Sequence, residues 1–141
     1  MGGCIFCELQ AGRGPASVVY EDDAVFAFMD IQPVNPGHVL VIPRRHAANL
    51  AELNSVDAAK LLPAAQKVAA ALRASGLRCE GVNLFLADGE AAGQEVFHVH
   101  VHIFPRWEGD GFGLRFGPHY RVLPPRGELD EIAKRLRESM G

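Results

Sequence analysis

The sequence has no apolar run long enough to cross a bilayer, which takes about 20 consecutive apolar residues. Its N-terminus also lacks a basic flank followed by an apolar core, the mark of a secretory signal. Both absences point to the cytoplasm and away from a membrane partner. Cysteine is scarce: there are three, and in a reducing compartment they are not read as a disulfide framework. An excess of positive charge is missing too. Fourteen basic against 17 acidic residues leave a net charge of −3 and no general attraction to nucleic acid. No internal repeat, low-complexity tract or domain linker interrupts the chain. At 141 residues, 1–141 is expected to fold as a single domain with a core of its own.

What is present concentrates between Ala92 and Arg106, where His98, His100 and His102 alternate with Val99, Val101 and Ile103. Successive side chains of a β-strand point to opposite faces, so a strand here lines three imidazoles along one face. The β-branched neighbours favour that strand, and Pro105 is expected to close it. Same-face neighbours stand roughly 6.5–7 Å apart, which separates the outer pair by about 13 Å. Zinc–nitrogen bonds are only about 2 Å, so one metal ion does not take all three from a straight strand. At least one histidine is left for nucleophilic or general-base work. The plain alternative is a half-exposed strand that happens to be rich in histidine. Strict alternation of three, preceded by Ala92-Gly93-Gln94, speaks against it.

Gly93-Gln94-Glu95-Val96-Phe97-His98-Val99-His100-Val101-His102-Ile103-Phe104 resembles the signature of the histidine triad (HIT) superfamily of nucleotidyl hydrolases and transferases. The resemblance reaches from Cys4 into the last helix and implies an α+β, HIT-like fold. That fold is an antiparallel sheet packed with one long helix, plus a C-terminal helix. It also implies a homodimer, with the long helix and a strand edge at the interface.

Cys4-Ile5-Phe6-Cys7 admits three readings from its residues: a redox pair, half of a zinc site, or two buried thiols. A redox pair expects a preceding strand, and only three residues precede Cys4. Zinc needs two more ligands, which spacing alone does not supply. The resemblance supplies them as His46 and His98, making a structural Cys4, Cys7, His46, His98 site and taking His98 out of the catalytic set. Cys79 has no such company and reads as a core or surface thiol.

Val18 to Tyr20 and Ala24 to Met29 read as strands around the acidic turn Glu21-Asp22-Asp23. Asp30 then opens a loop shaped by Pro33, Pro36 and Gly37, which delivers His38 to the start of a strand ending at Pro43. Asp30 is a turn-capping carboxylate on its own; the resemblance makes it a ligand for ribose hydroxyls and His38 part of the active-site network. Ser55 to Ser75 reads as the long helix, capped by Ser55, ended by Gly76 and kinked or split at Pro63. Leu61, Leu62, Ala65, Val68, Ala69 and Leu72 form its apolar stripe. Glu80 to Leu86 reads as a strand, with Asn83 a candidate to face the site. The glycine-bearing loop Asp88 to Gln94 could cradle phosphate with backbone N–H groups. The resemblance assigns phosphate contacts to Gly93, Gln94 and Glu95. Two positions depart from the pattern: Ala87 stands where several members carry Asn or Gln, and Glu95 where others carry Ser or Thr. Glu95 is expected to turn its side chain away from phosphate. Trp107 to Phe112 looks like a mobile segment at the substrate mouth or a plain surface loop. Glu128 to Met140 reads as an amphipathic helix made for packing.

The resemblance thus implies attack by His100 on the α-phosphate of a nucleoside substrate, an adenine nucleotide, with His102 and His38 in support. Water then releases the nucleoside monophosphate, and no catalytic metal is required. The Asp88-Gly89 loop and the Pro105-Arg106 ending resemble the Fhit-like dinucleoside polyphosphate hydrolases. The Cys-x-x-Cys opening is shared with Hint-like phosphoramidases. The rivals are a HIT domain that binds nucleotide without turnover, and a zinc hydrolase that uses the histidine strand as ligands.

Overall fold

Three apolar strands set the frame. The computed structural model describes residues 3–141, which divide into two compact units, one up to Asp110 and one from Gly111 to Gly141. In the first, α1 (Ile5–Gln10) precedes β1 (Val18–Glu21), β2 (Val25–Met29), β3 (Val39–Pro43), α2 (Ser55–Ala74), β4 (Gly81–Phe85) and β5 (Val101–Arg106). All strand pairs are antiparallel, and the five-stranded order is β1-β2-β3-β5-β4. The protein is therefore α+β, as the motif implied.

Alternation assigns the two faces. Val25, Ala27, Val39, Val41, Val101 and Ile103 pack with Leu61, Ala65, Val68 and Leu72 of α2. Phe26, Phe28, Leu40 and Ile42 point the other way and pack with Phe6 of α1. Leu40 pairs with His102, so His102 belongs to the α1 face and the long helix backs the sheet from behind. α1 is an element that the sequence reading missed. It is six residues long, and its cap is a cysteine: Cys4 Sγ accepts from the Cys7 N–H.

Several expected boundaries move. The histidine ladder begins only at Val101, so His98 and His100 lie in a bent segment before the strand. Continuing the β3–β5 register would set Pro43 opposite Val99, and proline has no N–H to give. Val99 instead donates to the Ala47 carbonyl at 2.8 Å. Pro105 sits inside β5, opposite Val82, just beyond the last β3 partner, Ile103. The cap of α2 is Asn54, whose Oδ1 accepts from the Asp57 N–H at 2.8 Å; Ser55 is the first helical residue. Pro63 does not split α2, which runs unbroken. Pro63 and Ala59, whose carbonyl loses its partner there, are both exposed, so solvent can serve the carbonyl. In the stripe, Leu62 is exposed and Ala64 takes its place in the core. Cys79 is half-buried against the α2-side core and donates to the Gly81 carbonyl.

The second unit carries α2's successor, α3 (Arg126–Met140), which starts two residues before the expected Glu128. None of its residues is buried, and Leu129, Ile132 and Leu136 are exposed. Phe116 and Tyr120 stack with ring centroids 3.8 Å apart. No helix among the described residues is long and apolar enough to cross a membrane.

Gly37 is the tightest point of the loop that delivers His38. Its φ is +106°, and an added Cβ would lie 3.0 Å from Leu72 Cδ2, 3.2 Å from Leu77 Cδ1 and 3.3 Å from Pro105 Cγ. Gly37→Ala is expected to destabilise the fold by about 1–3 kcal/mol, measured by chemical denaturation. An unchanged midpoint would show that the loop has slack.

Candidate active site

A neutral imidazole has one proton for two nitrogens, so a carbonyl bound to one nitrogen dictates the state of the other. His98 Nε2 lies 2.8 Å from the Pro43 carbonyl oxygen, which only accepts. Nε2 therefore carries the proton and Nδ1 the lone pair. His100 is wired the opposite way. Its Nδ1 donates to the His98 carbonyl at 2.8 Å, leaving Nε2 with the lone pair. For His38, the Val34 N–H donates to Nδ1 at 3.0 Å, which puts the proton on Nε2. That proton faces His102 Nδ1 at 3.0 Å, so His102 in turn keeps its own on Nε2. Neighbouring residues thus present a lone pair at His100 and an N–H at His102, with ring centroids 4.9 Å apart. His38, His98 and His100 are buried, and His102 is half-buried. Phe6 stands edge-on to His100 at 5.1 Å and walls that side.

The lone pair of His98 points into a cluster. Its Nδ1 lies 3.4 Å from Cys4 Sγ, 3.5 Å from Cys7 Sγ and 3.2 Å from His46 Nδ1. Cys7 Sγ is also 3.4 Å from His46 Nδ1. A tetrahedral zinc, with bonds of about 2.1 Å to nitrogen and about 2.3 Å to sulfur, spaces two nitrogens by about 3.4 Å and nitrogen from sulfur by about 3.6 Å. The four residues fit that ion in donor type and spacing, and the cluster is compatible with a structural zinc. Burial and the neighbouring Cys4 push the Cys7 thiol up to about 11. Binding a metal there displaces a proton.

Asp30, His38 and His102 form a second group with metal-like spacing. Asp30 Oδ2 lies 3.4 Å from His38 Nε2 and 3.9 Å from His102 Nδ1, and Oδ1 accepts from the Gln32 N–H. The wiring argues against a metal here. His38 Nε2 would have to be a lone pair while Nδ1 also accepts from Val34, a state open only to imidazolate. The group is better described as a proton network under a carboxylate. Burial holds His38 and His98 below the usual histidine range. Burial, then His100 and His38, push His102 down to about 4 despite the opposing pull of Asp30.

The other expected residues are placed as follows. Gly93 donates to the Glu90 carbonyl and the Gln94 N–H to that of Gly89, so these two N–H groups close their own turn. The Gln94 side chain is buried; its amide donates to the Ala48 and Val96 carbonyls and its oxygen accepts from the Gly89 N–H. It is a strut joining the loop to the segment after His46. Glu95 is exposed. Asn83 shares the His102 face by register, with Oδ1 accepting from Arg106 Nη1 at 2.7 Å. Ala87 is buried.

Trp107 to Asp110 is pinned where mobility was expected. The Asp110 carboxylate accepts from Arg106 Nε and Nη2 at 2.6 and 2.9 Å, from the Trp107 N–H, and from Asn35 Nδ2 at 2.9 Å. Asn35 also donates to the Pro105 carbonyl, which ties the Asp30–His38 loop to β5. The Asn35–Asp110 contact was missed because it spans 75 positions of the chain. Ile31, beside Asp30, is 99% exposed.

A HIT domain family model matches residues 11–109. An uncharacterised HIT-like protein of Methanocaldococcus jannaschii is 41% identical over 134 residues, covering 95% of this chain and 98% of its own. An adenosine 5′-monophosphoramidase of Schizosaccharomyces pombe is 38% identical over 137 residues, covering 95% and 98%. Among solved structures, a zinc-bound histidine triad family protein from Mycobacterium smegmatis matches with a TM-score of 0.75 at 36% identity, over 98% of this chain and 97% of that one.

The depressed histidines carry a sign. Unfolded, His38 and His102 titrate near about 6.5, whereas the folded protein resists protonating them. Their stabilising contribution is complete above that pH and is lost as pH falls through the folded value, about 4 for His102. The thermal midpoint is expected to drop across this window, and His102→Gln to drop less. An equal drop in the variant would remove His102 from the account.

Proposed function

The chain belongs to the histidine triad (HIT) family, and on that footing we propose that it hydrolyses or transfers nucleotidyl groups through a nucleotidyl-histidine intermediate. The observation that carries this reading is the hydrogen bond from His100 Nδ1 to the His98 carbonyl, which leaves Nε2 as a lone pair. Nε2 attacks the α-phosphorus, the bond from phosphorus to the leaving group breaks, and the nucleotidyl group rests on His100. Water then attacks the same phosphorus, His100 leaves, and a nucleoside monophosphate is released. His102 Nε2–H donates a hydrogen bond to the phosphate or leaving group. Asp30 takes the ribose hydroxyls and Ile31 offers an apolar surface to the base, adenine in the first instance. Asn83, Gly93, Gln94 and Glu95 are kept as substrate-side positions, with Gln94 acting as the strut that shapes the loop.

A His102 that remains neutral gives a hydrogen bond more readily than a proton. That favours leaving groups stable as anions, and hence a dinucleoside polyphosphate departing as a nucleoside polyphosphate. The second reading is phosphoramidate cleavage, favoured by the similarity to the fission-yeast phosphoramidase. Cys4, Cys7, His46 and His98 hold a structural zinc that cross-links the N-terminal segment to the histidine segment, and no step passes through it. The protein pairs as a homodimer through α2 and the outer edge of β4. A hollow of about 340 Å³ lined by Leu53, Leu61, Leu62, Leu84 and Phe85 lies beside that edge.

Mixing the protein with diadenosine triphosphate, quenching at alkaline pH and measuring intact mass tests the chemistry. An AMP-sized adduct is expected, absent in His100→Ala, whose turnover falls by several orders of magnitude. An adduct formed only from adenosine phosphoramidate would move the assignment to the second reading. Nucleotide binding with no adduct and no AMP from either substrate would leave a binding domain. Metal analysis is expected to find about one zinc per chain, with chelation lowering the thermal midpoint. Equal zinc in Cys4→Ser would disprove the cluster.

A further inference from the structure

Gln10 closes α1, three residues after Cys7. Its Nε2 donates to the Arg44 carbonyl at 2.7 Å, across 34 positions of chain. Its Oε1 is buried and has no hydrogen-bond partner among the described residues. An unpartnered buried amide oxygen is unfavourable and calls for a reason. Turning the amide over would set Oε1 against the Arg44 carbonyl, two acceptors face to face. The Arg44 contact therefore fixes the orientation, and the bare oxygen follows from it.

Arg44 is a fixed point. Its N–H donates to the Ala24 carbonyl at 2.9 Å, and its guanidinium reaches the Asp22 carbonyl at 2.6 Å and Glu21 at 2.7 Å. It is also two residues before His46. α1, by contrast, is six residues long, too short to hold its place by helix formation alone. Of the four cluster residues, His98 is held by Pro43 and Cys4 by its own cap. The ring of His46 is exposed and contacts Cys7 and His98, the other ligands. Phe6 packs α1 against the sheet, and the Gln10–Arg44 hydrogen bond ties the end of that helix to the base of the His46 turn, across which Cys7 meets His46.

We propose that Gln10 is a positioning residue of the Cys4–Cys7–His46–His98 metal site, locking the helix that carries Cys7 to the turn that carries His46. This rests on the zinc reading of that cluster. Residues behind metal ligands typically contribute 10–100-fold to metal affinity, and Gln10 is expected to fall in that range.

The test is zinc affinity of the full chain by competition with a chromophoric chelator, together with the absorption spectrum of the cobalt-substituted protein. Gln10→Met keeps length and bulk and removes the hydrogen bond; Gln10→Asn keeps the amide but shortens its reach. Both are expected to bind zinc about 10-fold or more weakly than the parent, with a perturbed cobalt spectrum. Arg13→Ala, which breaks an exposed ion pair with Glu8 beside α1, is expected to leave both readouts unchanged. A purely structural Gln10 would lower the thermal midpoints of zinc-free and zinc-loaded protein alike and leave the affinity within about twofold, and that outcome would overturn the proposal. Parent protein that takes up no zinc would instead overturn the zinc reading, and the proposal with it.

Discussion

A ring with one proton and two nitrogens cannot serve as lone pair and donor on both sides at once, and this constraint organises the site. The carbonyls of Pro43 and His98 and the N–H of Val34 each fix one ring nitrogen. The histidines of one repeating pattern consequently differ in chemistry: His98 turns a lone pair to the cysteines, His100 holds one at Nε2, and His102 holds an N–H. Side-chain identity alone would make them equivalent. The backbone distinguishes them.

Pro43 serves this arrangement twice. With no N–H it cannot continue the β3–β5 ladder, so the chain leaves the sheet at Val101. Its carbonyl is then open to His98 Nε2. Had the ladder continued through residue 98, the carbonyl of His98 would be drawn toward inter-strand pairing and away from His100. The bend therefore converts an alternating strand into a short segment whose polar backbone groups address side chains. Gly37, Asn35 and Asp110 do the corresponding work on the other flank, fixing the loop that places His38 and Asp30 over His102.

Much of this was legible in the sequence, for identifiable reasons. The apolar alternation of β2, β3 and β5 and the Ala/Leu-rich α2 follow from local periodicity, and the order of His98, His100 and His102 is visible in one line of sequence. The bend at 98–100 was hidden, because what breaks the ladder is Pro43, more than 50 positions upstream. α1 was hidden because a cysteine caps it. The Trp107 segment looked mobile and its first four residues turned out pinned, since the Asp110 carboxylate meets Arg106 four residues back and also Asn35, 75 positions away. Local pattern reveals which residues carry chemistry. The tautomers, which decide what each of them does, depend on contacts between distant segments.

His98 is where the two halves of the site meet. Its Nδ1 belongs to the cysteine cluster, its Nε2 is fixed by Pro43, and its carbonyl holds the Nδ1 proton of His100. Phe6, carried on the helix that Cys4 caps, packs edge-on against both rings, at 6.1 Å from His98 and 5.1 Å from His100. A rotation of the His98 ring is therefore resisted at one end by the cluster and at the other by the sheet, and the peptide that positions His100 inherits that rigidity. A metal held by the cluster would cross-link the first few residues to this histidine and stiffen the one carbonyl on which the lone pair of His100 depends. On the proposed chemistry, that gives the cluster a physical reason to lie two residues from His100.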